Sequence, residues 1–117
     1  MTRPKVLIVE DEGLVALTME DLLTDLGCEV VGSFGSVQTT LAFLATNPAL
    51  DGALLDVNLG GEMVYPVADV LIERGVPFAF ATGYGASPDP AYSAAPVASK
   101  PVTEARLAQL APLFLRT

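Results

Sequence analysis

A chain of 117 residues that is 51% hydrophobic and 17% charged has the apolar material for one domain core and too little polarity for a disordered segment. Six basic against 14 acidic residues give a net charge of −8, which excludes nucleic-acid binding by charge and suits a cation or a basic protein partner. The chain has no histidine, which excludes His-based acid–base catalysis, His–metal ligation and a phosphohistidine on it, and one cysteine, Cys28, which cannot form an internal disulfide and fits a reducing cytoplasm.

Val6-Leu7-Ile8-Val9 is a continuous apolar run, the pattern of a strand buried on both faces, and it stops at Glu10-Asp11-Glu12. It is too short for the apolar region of a signal peptide, and no run reaches the roughly 18 residues of a membrane helix; a soluble, cytoplasmic chain is expected. Val15, Met19, Leu22, Leu23 and Leu26 recur at helical spacing, with Gly27 as the stop. Glu29–Phe34 reads as a second strand. Ser36 is an N-cap for a helix carrying Val37, Leu41 and Leu44, which Asn47-Pro48 ends. Ala53-Leu54-Leu55 is a third strand ending at Asp56, and Asn58 to Gly61 is a loop. The next helix carries Val67, Val70 and Leu71, with Pro66 in its first turn and Gly75 closing it. Pro77 to Thr82 is a fourth strand. Gly83 to Ala94 holds two Gly, two Pro and two Ser, and reads as a loop with at most one helical turn. Ala95 to Ser99 is a fifth, weaker strand. Thr103 caps a last helix bearing Leu107, Leu110, Ala111 and Phe114, and Pro112 is expected to bend or end it, lacking the N–H that would bond to Ala108.

Strand and helix thus alternate five times, which means a parallel sheet covered by helices on both faces. Ligands of such sheets bind outside the carboxyl ends of the strands. Glu10, Asp11, Asp56, Thr82 and Lys100 all fall there. Singly, each has a plain structural reading: Asp11 as a helix cap, Asp56 as a turn residue, Thr82 as β-branched filling, Lys100 as a solvated cation. Their joint placement points to function. Crowded carboxylates are costly unless a cation neutralises them, and hard oxygen ligands without His or Cys suit Mg²⁺ or Mn²⁺.

This arrangement closely resembles the receiver domain of two-component response regulators, over essentially the whole chain. The matching features are Val6-Leu7-Ile8-Val9-Glu10-Asp11-Glu12, Leu54-Leu55-Asp56-Val57-Asn58, Ala81-Thr82-Gly83 and Lys100-Pro101. The resemblance implies an α/β, flavodoxin-like (βα)5 doubly wound sheet of strand order 2-1-3-4-5, here with a short or irregular helix 4. It implies Asp56 as phosphoacceptor, Asp11 as a direct Mg²⁺ ligand, Glu10 as one acting through water, and the backbone carbonyl of Asn58 as a further ligand. Thr82 would hydrogen-bond the phosphoryl group and Lys100 would pair with it; the Lys100–Pro101 bond would be cis. The implied partners are a sensor histidine kinase or phosphotransfer protein and a downstream protein target, with no direct contact with nucleic acid or membrane. The expected function is that of a phosphoacceptor signalling domain rather than an enzyme. Residues 1–117 are expected to form a single receiver domain, either standing alone or belonging to a larger regulator or hybrid kinase.

Two departures stand out. The strand 5 aromatic that usually precedes the lysine by three residues is Val97 here, and a Gly/Pro/Ser-rich segment replaces the usual fourth helix. Phe80-Ala81-Thr82-Gly83-Tyr84 resembles the Phe-Ala-Thr-Gly signature of an alphaproteobacterial receiver subgroup, in which the tyrosine is expected one place later. Tyr84 is therefore a candidate substitute switch, or else a plain loop aromatic. A Mg²⁺-dependent phosphatase with an aspartate nucleophile is the distant alternative, but Asp56-Val57-Asn58 lacks the second acid of its Asp-x-Asp pattern. A pseudo-receiver would have lost acidic or lysine positions, and none is lost.

Overall fold

The computed structural model describes residues 3–83 and 88–115. In chain order the elements are β1 (Lys5–Val9), α1 (Gly13–Asp25), β2 (Glu29–Phe34), α2 (Val37–Ala45), β3 (Gly52–Asp56), β4 (Asn58–Leu59), β5 (Glu62–Met63), α3 (Tyr65–Glu73), β6 (Phe78–Thr82), a 3₁₀ turn (Pro90–Tyr92), β7 (Val97–Ser99) and α4 (Glu104–Phe114). The main sheet runs β2-β1-β3-β6-β7 with every neighbouring pair parallel. Leaving out the short β4–β5 pair, this is the expected order 2-1-3-4-5. No helix among the described residues is long and apolar enough to cross a membrane.

The apolar runs become strands buried on both faces because their side chains alternate between two cores. Leu7 and Val9 of β1 join Leu55 and Phe80 on the face covered by α2 and α3, where Val37, Leu44, Val67 and Leu71 pack. Val6 and Ile8 point the other way and join Leu54, Ala79 and Ala81 against α1 and α4, with Met19, Leu23, Leu107 and Phe114. The helix ends follow local chemistry. Ser36 caps α2 by accepting from the Thr39 N–H at 3.1 Å, and Thr103 caps α4 by accepting from the Arg106 N–H at 3.2 Å. Gly27 at φ +90° and Gly75 at φ +68° take the left-handed conformation that stops α1 and α3.

Two local expectations are corrected, and a third, that Pro112 bends or ends the last helix, is narrowed. Asn58 to Gly61 is not an open loop: β4 and β5 pair antiparallel, Asn58 with Met63 and Leu59 with Glu62. Gly60 and Gly61, at φ +66° and +101°, make the tight turn, and the Gly61 N–H donates to Asn58 Oδ1 at 2.6 Å. Pro112 does not end the last helix, which runs on to Phe114 because Leu110 and Phe114 are buried against the sheet. The fifth strand is shorter than expected and begins at Val97.

The connection from β6 to β7 contains, among its described residues, a single 3₁₀ turn, as expected. That turn is not merely an exposed loop. Tyr92 stacks on Tyr65 of α3 with ring centroids 4.6 Å apart and 5° between planes, and both rings meet Phe80 edge-on. The Tyr92 hydroxyl donates to Asp69 at 2.6 Å, while the Asp89 N–H donates to the Tyr65 hydroxyl at 2.7 Å.

Candidate functional site

The carboxyl ends of β1, β3, β6 and β7 open on one edge of the sheet. Glu10 directly follows β1, Asp56 ends β3, Thr82 ends β6, and Lys100 directly follows β7. Parallel registry is what gathers them: Val9 pairs with Leu55, Asp56 with Ala81, and Thr82 with Ser99. One carboxylate oxygen from each of Glu10, Asp11 and Asp56 lies within 4.8 Å of the others. An open cleft of about 380 Å³ above them is lined by Asp11, Glu12, Asp56, Asn58, Gly60, Gly61, Gly83 and Lys100. Glu10 and Thr82 are buried and are not part of that lining. Asp11 is exposed, and the N-cap of α1 is Glu12, which makes no side-chain cap bond, so the plain reading of Asp11 as a helix cap does not hold.

Lys100 Nζ sits 2.6 Å from Glu10 Oε1 and 3.2 Å from Asp56 Oδ2. Glu10 Oε2 accepts from the Glu12 N–H at 3.1 Å. Glu10 Oε1 is buried, and the Lys100 ammonium is the charge that compensates it. The protonation balance follows. Burial raises Glu10 above the ordinary carboxylate range, more than its hydrogen bond with Lys100 lowers it. Burial raises Asp56 likewise, against the lowering pull of Lys100. For Lys100 burial acts downward, but the hydrogen bond with Glu10 and the charge of Asp56 outweigh it, and its value rises. The asymmetry is physical: one ammonium faces two carboxylates, whereas the two carboxylates share one ammonium and repel each other. The cluster is short of positive charge.

The donor set therefore fits a hard divalent cation. It is all oxygen, it contains an excess of carboxylates, and it borders an open cleft.

No family profile matches the chain, and no curated protein sequence does. Solved structures do match. SdrG from Sphingomonas melonis Fr1 is 43% identical over 97% of this chain and 98% of that one, with a TM-score of 0.85. The BeF3-activated conformation of SdrG from Pseudomonas melonis Fr1 is 37% identical over 97% and 98% of the two chains, with a TM-score of 0.78. The REC domain of the response regulator PhyR from Erythrobacter litoralis is 28% identical over 100% and 95%, with a TM-score of 0.77. The chain belongs to the response regulator receiver domains of two-component systems.

In this receiver domain Glu10, Asp11, Asp56 and Lys100 come together and Asn58 lines the cleft beside them, whereas Thr82 is buried at the end of β6 outside the cleft lining and Tyr84, the switch candidate, lies outside the described residues. The Lys100–Pro101 bond is cis, as the resemblance implied. Sequence reasoning missed the cleft walls, Gly60, Gly61 and Gly83, although a Gly-Gly pair two residues beyond Asn58 is itself a hairpin signal. It also missed Tyr65 and Tyr92, whose meeting has no local signature. Tyr65 reads as a helix-start residue, and Tyr92 lies 27 positions on.

Proposed function

We propose that this receiver domain, spanning residues 1–117, accepts a phosphoryl group on Asp56 from a phosphohistidine of a sensor histidine kinase or phosphotransfer protein. The observation that carries the reading is the meeting of Glu10, Asp11 and Asp56 within 4.8 Å beside the Lys100 ammonium. Asp11, Asp56 and the Asn58 backbone carbonyl would hold Mg²⁺ or Mn²⁺, with Glu10 behind them. The cation would neutralise charge on the phosphoryl oxygens, which phosphoryl transfer requires.

The chain's own residues supply the rest. An Asp56 carboxylate oxygen forms the bond to phosphorus as the phosphorus–nitrogen bond of the donor breaks, and the electron pair leaves on the imidazole. Lys100, already 3.2 Å from Asp56, is placed to pair with the transferred group. The Thr82 hydroxyl is a donor at the end of the neighbouring strand. The outcome is a covalent change on a signalling domain, read by a downstream protein in the cytoplasm, with no direct nucleic-acid or membrane contact. A BeF3-activated conformation exists for an SdrG relative, and BeF3⁻ mimics a phosphoryl group, which supports the reading.

The test is incubation with acetyl phosphate or BeF3⁻ and Mg²⁺, followed by mass spectrometry or NMR. Wild type is expected to be modified or occupied, and Asp56→Asn and EDTA-treated protein are not. Equal labelling of Asp56→Asn overturns the assignment.

A further inference from the structure

The β4–β5 hairpin forms one wall of the acidic cleft, contributing Asn58, Gly60 and Gly61. Its base is held by the Val64 N–H donating to the Val57 carbonyl at 3.0 Å and by burial of Leu59 and Val64. Its tip is exposed and carries two glycines, so it has little stiffness of its own. The tip nonetheless lies close to the cluster: a Cβ built on Gly60 would stand 3.5 Å from Asp11 Oδ2. What reaches from the hairpin to another element is Glu62, whose Oε1 accepts from the Val37 N–H at 3.3 Å across 25 residues of sequence. Val37 is the first residue of α2, where N–H groups lack intrahelical acceptors and the helix dipole favours negative charge. Ser36 serves the Thr39 N–H, so Glu62 satisfies a different N–H of the same helix start.

We infer that Glu62 is a positioning residue for the cation site. Its carboxylate ties the hairpin to the start of α2, and the hairpin presents the Asn58 backbone to the cluster of Glu10, Asp11 and Asp56. Leu59 pairs with Glu62 and Asn58 with Met63, so a pull on Glu62 passes directly to the strand that follows Asp56. The inference rests on the cation reading of the site. It adds a residue with no contact to the cation, six positions after the phosphoacceptor and on the far strand of the hairpin.

The experiment compares wild type, Glu62→Ala and Glu62→Gln in two measurements. The first, in metal-free protein, is amide hydrogen exchange at Val37 and across residues 58–63. Glu62→Ala is expected to lose protection at both places, while Glu62→Gln, which keeps an oxygen acceptor, retains most of it. The second is Mg²⁺ affinity by calorimetry. Glu62→Ala is expected to bind about tenfold more weakly, the scale seen when a residue that orients a metal ligand from behind is removed. Glu62→Gln is expected to stay near wild type although it has lost the same charge. Equal weakening in both variants would mean that long-range charge, not the tether, sets the affinity, and unchanged exchange in Glu62→Ala would mean that no tether exists; either result overturns the inference. A wild type that binds no Mg²⁺ while Glu62→Ala still loses protection overturns the cation reading and leaves the tether as a structural brace alone.

Discussion

Lys100 sets the electrostatics of the site, because it is the only cation facing Glu10 and Asp56 among the described residues. Asp11 is exposed at the cleft and free of that pairing, so it should be the first acid to meet an incoming cation. Asp11→Ala is therefore expected to weaken Mg²⁺ binding more than Glu10→Ala, measured by calorimetry on both variants. Equal affinities for both and for wild type would return the acids to structural roles. The raised carboxyls also fix a pH dependence. Folded values above the ordinary 3.8 for Asp56 and 4.5 for Glu10 mean that the folded state holds these protons more tightly than the unfolded chain. Their contribution to stability is full below the ordinary values and is lost as pH rises through the raised ones. Asp56→Asn removes the cost of burying that charge and is expected to raise the melting temperature of metal-free protein at pH 7. Tyr92 gives an independent check. Its hydrogen bond to Asp69 pushes its phenol from 10.0 up to about 12, so its contribution is present below pH 10 and lost as pH rises through the folded value. Ultraviolet titration should show a tyrosine ionising late, and Asp69→Asn should bring that step down towards the ordinary value.

At the scale of elements, the helix caps and one close approach hold the frame. Ser36 and Thr103 each accept one otherwise unpaired N–H, and each change to Ala is expected to cost about 1 kcal/mol in denaturant melts. Gly52 faces a harder constraint. The end of α4 folds back so that Leu115 bridges to Gly52, and a Cβ there would collide with the Phe114 carbonyl oxygen. Backbone cannot yield as a flexible side chain does, so Gly52→Ala should destabilise more than either cap variant. Equal losses would mean that the α4 end moves freely. The same packing explains Pro112. A helix that loses one hydrogen bond still continues when Leu110 before the proline and Phe114 beyond it both bury their side chains.

Over the whole molecule, one sheet separates two cores and carries the site at a single edge, so occupancy of the site and stability of the fold are linked. A cation bound only by the folded state adds about 2.7 kcal/mol at a concentration one hundred times its dissociation constant. Thermal melts should therefore shift upward with Mg²⁺ in wild type and not in Asp11→Ala. The increment should grow from acidic to neutral pH, because protons and cation compete for Glu10 and Asp56.

The order of strands and helices, the Ser36 and Thr103 caps, and the acids and lysine at the strand ends are legible in the sequence, whereas the Asp11 cap reading fails. The legible features follow from periods of 2 and 3.6, from the chemistry of Ser, Thr and Gly, and from the rule that parallel strands bind at their carboxyl ends. Three contacts come only with the packing: Lys100 lies nearer Glu10 than Asp56, Glu62 joins the β4–β5 hairpin to the start of α2, and Tyr92 stacks on Tyr65. Each of these joins residues far apart in sequence. Such distances are set by how helices pack across the sheet, and no local pattern encodes them. The last helix shows the same division: Pro112 is read correctly as a missing donor, but whether the helix ends there depends on the core that Phe114 enters.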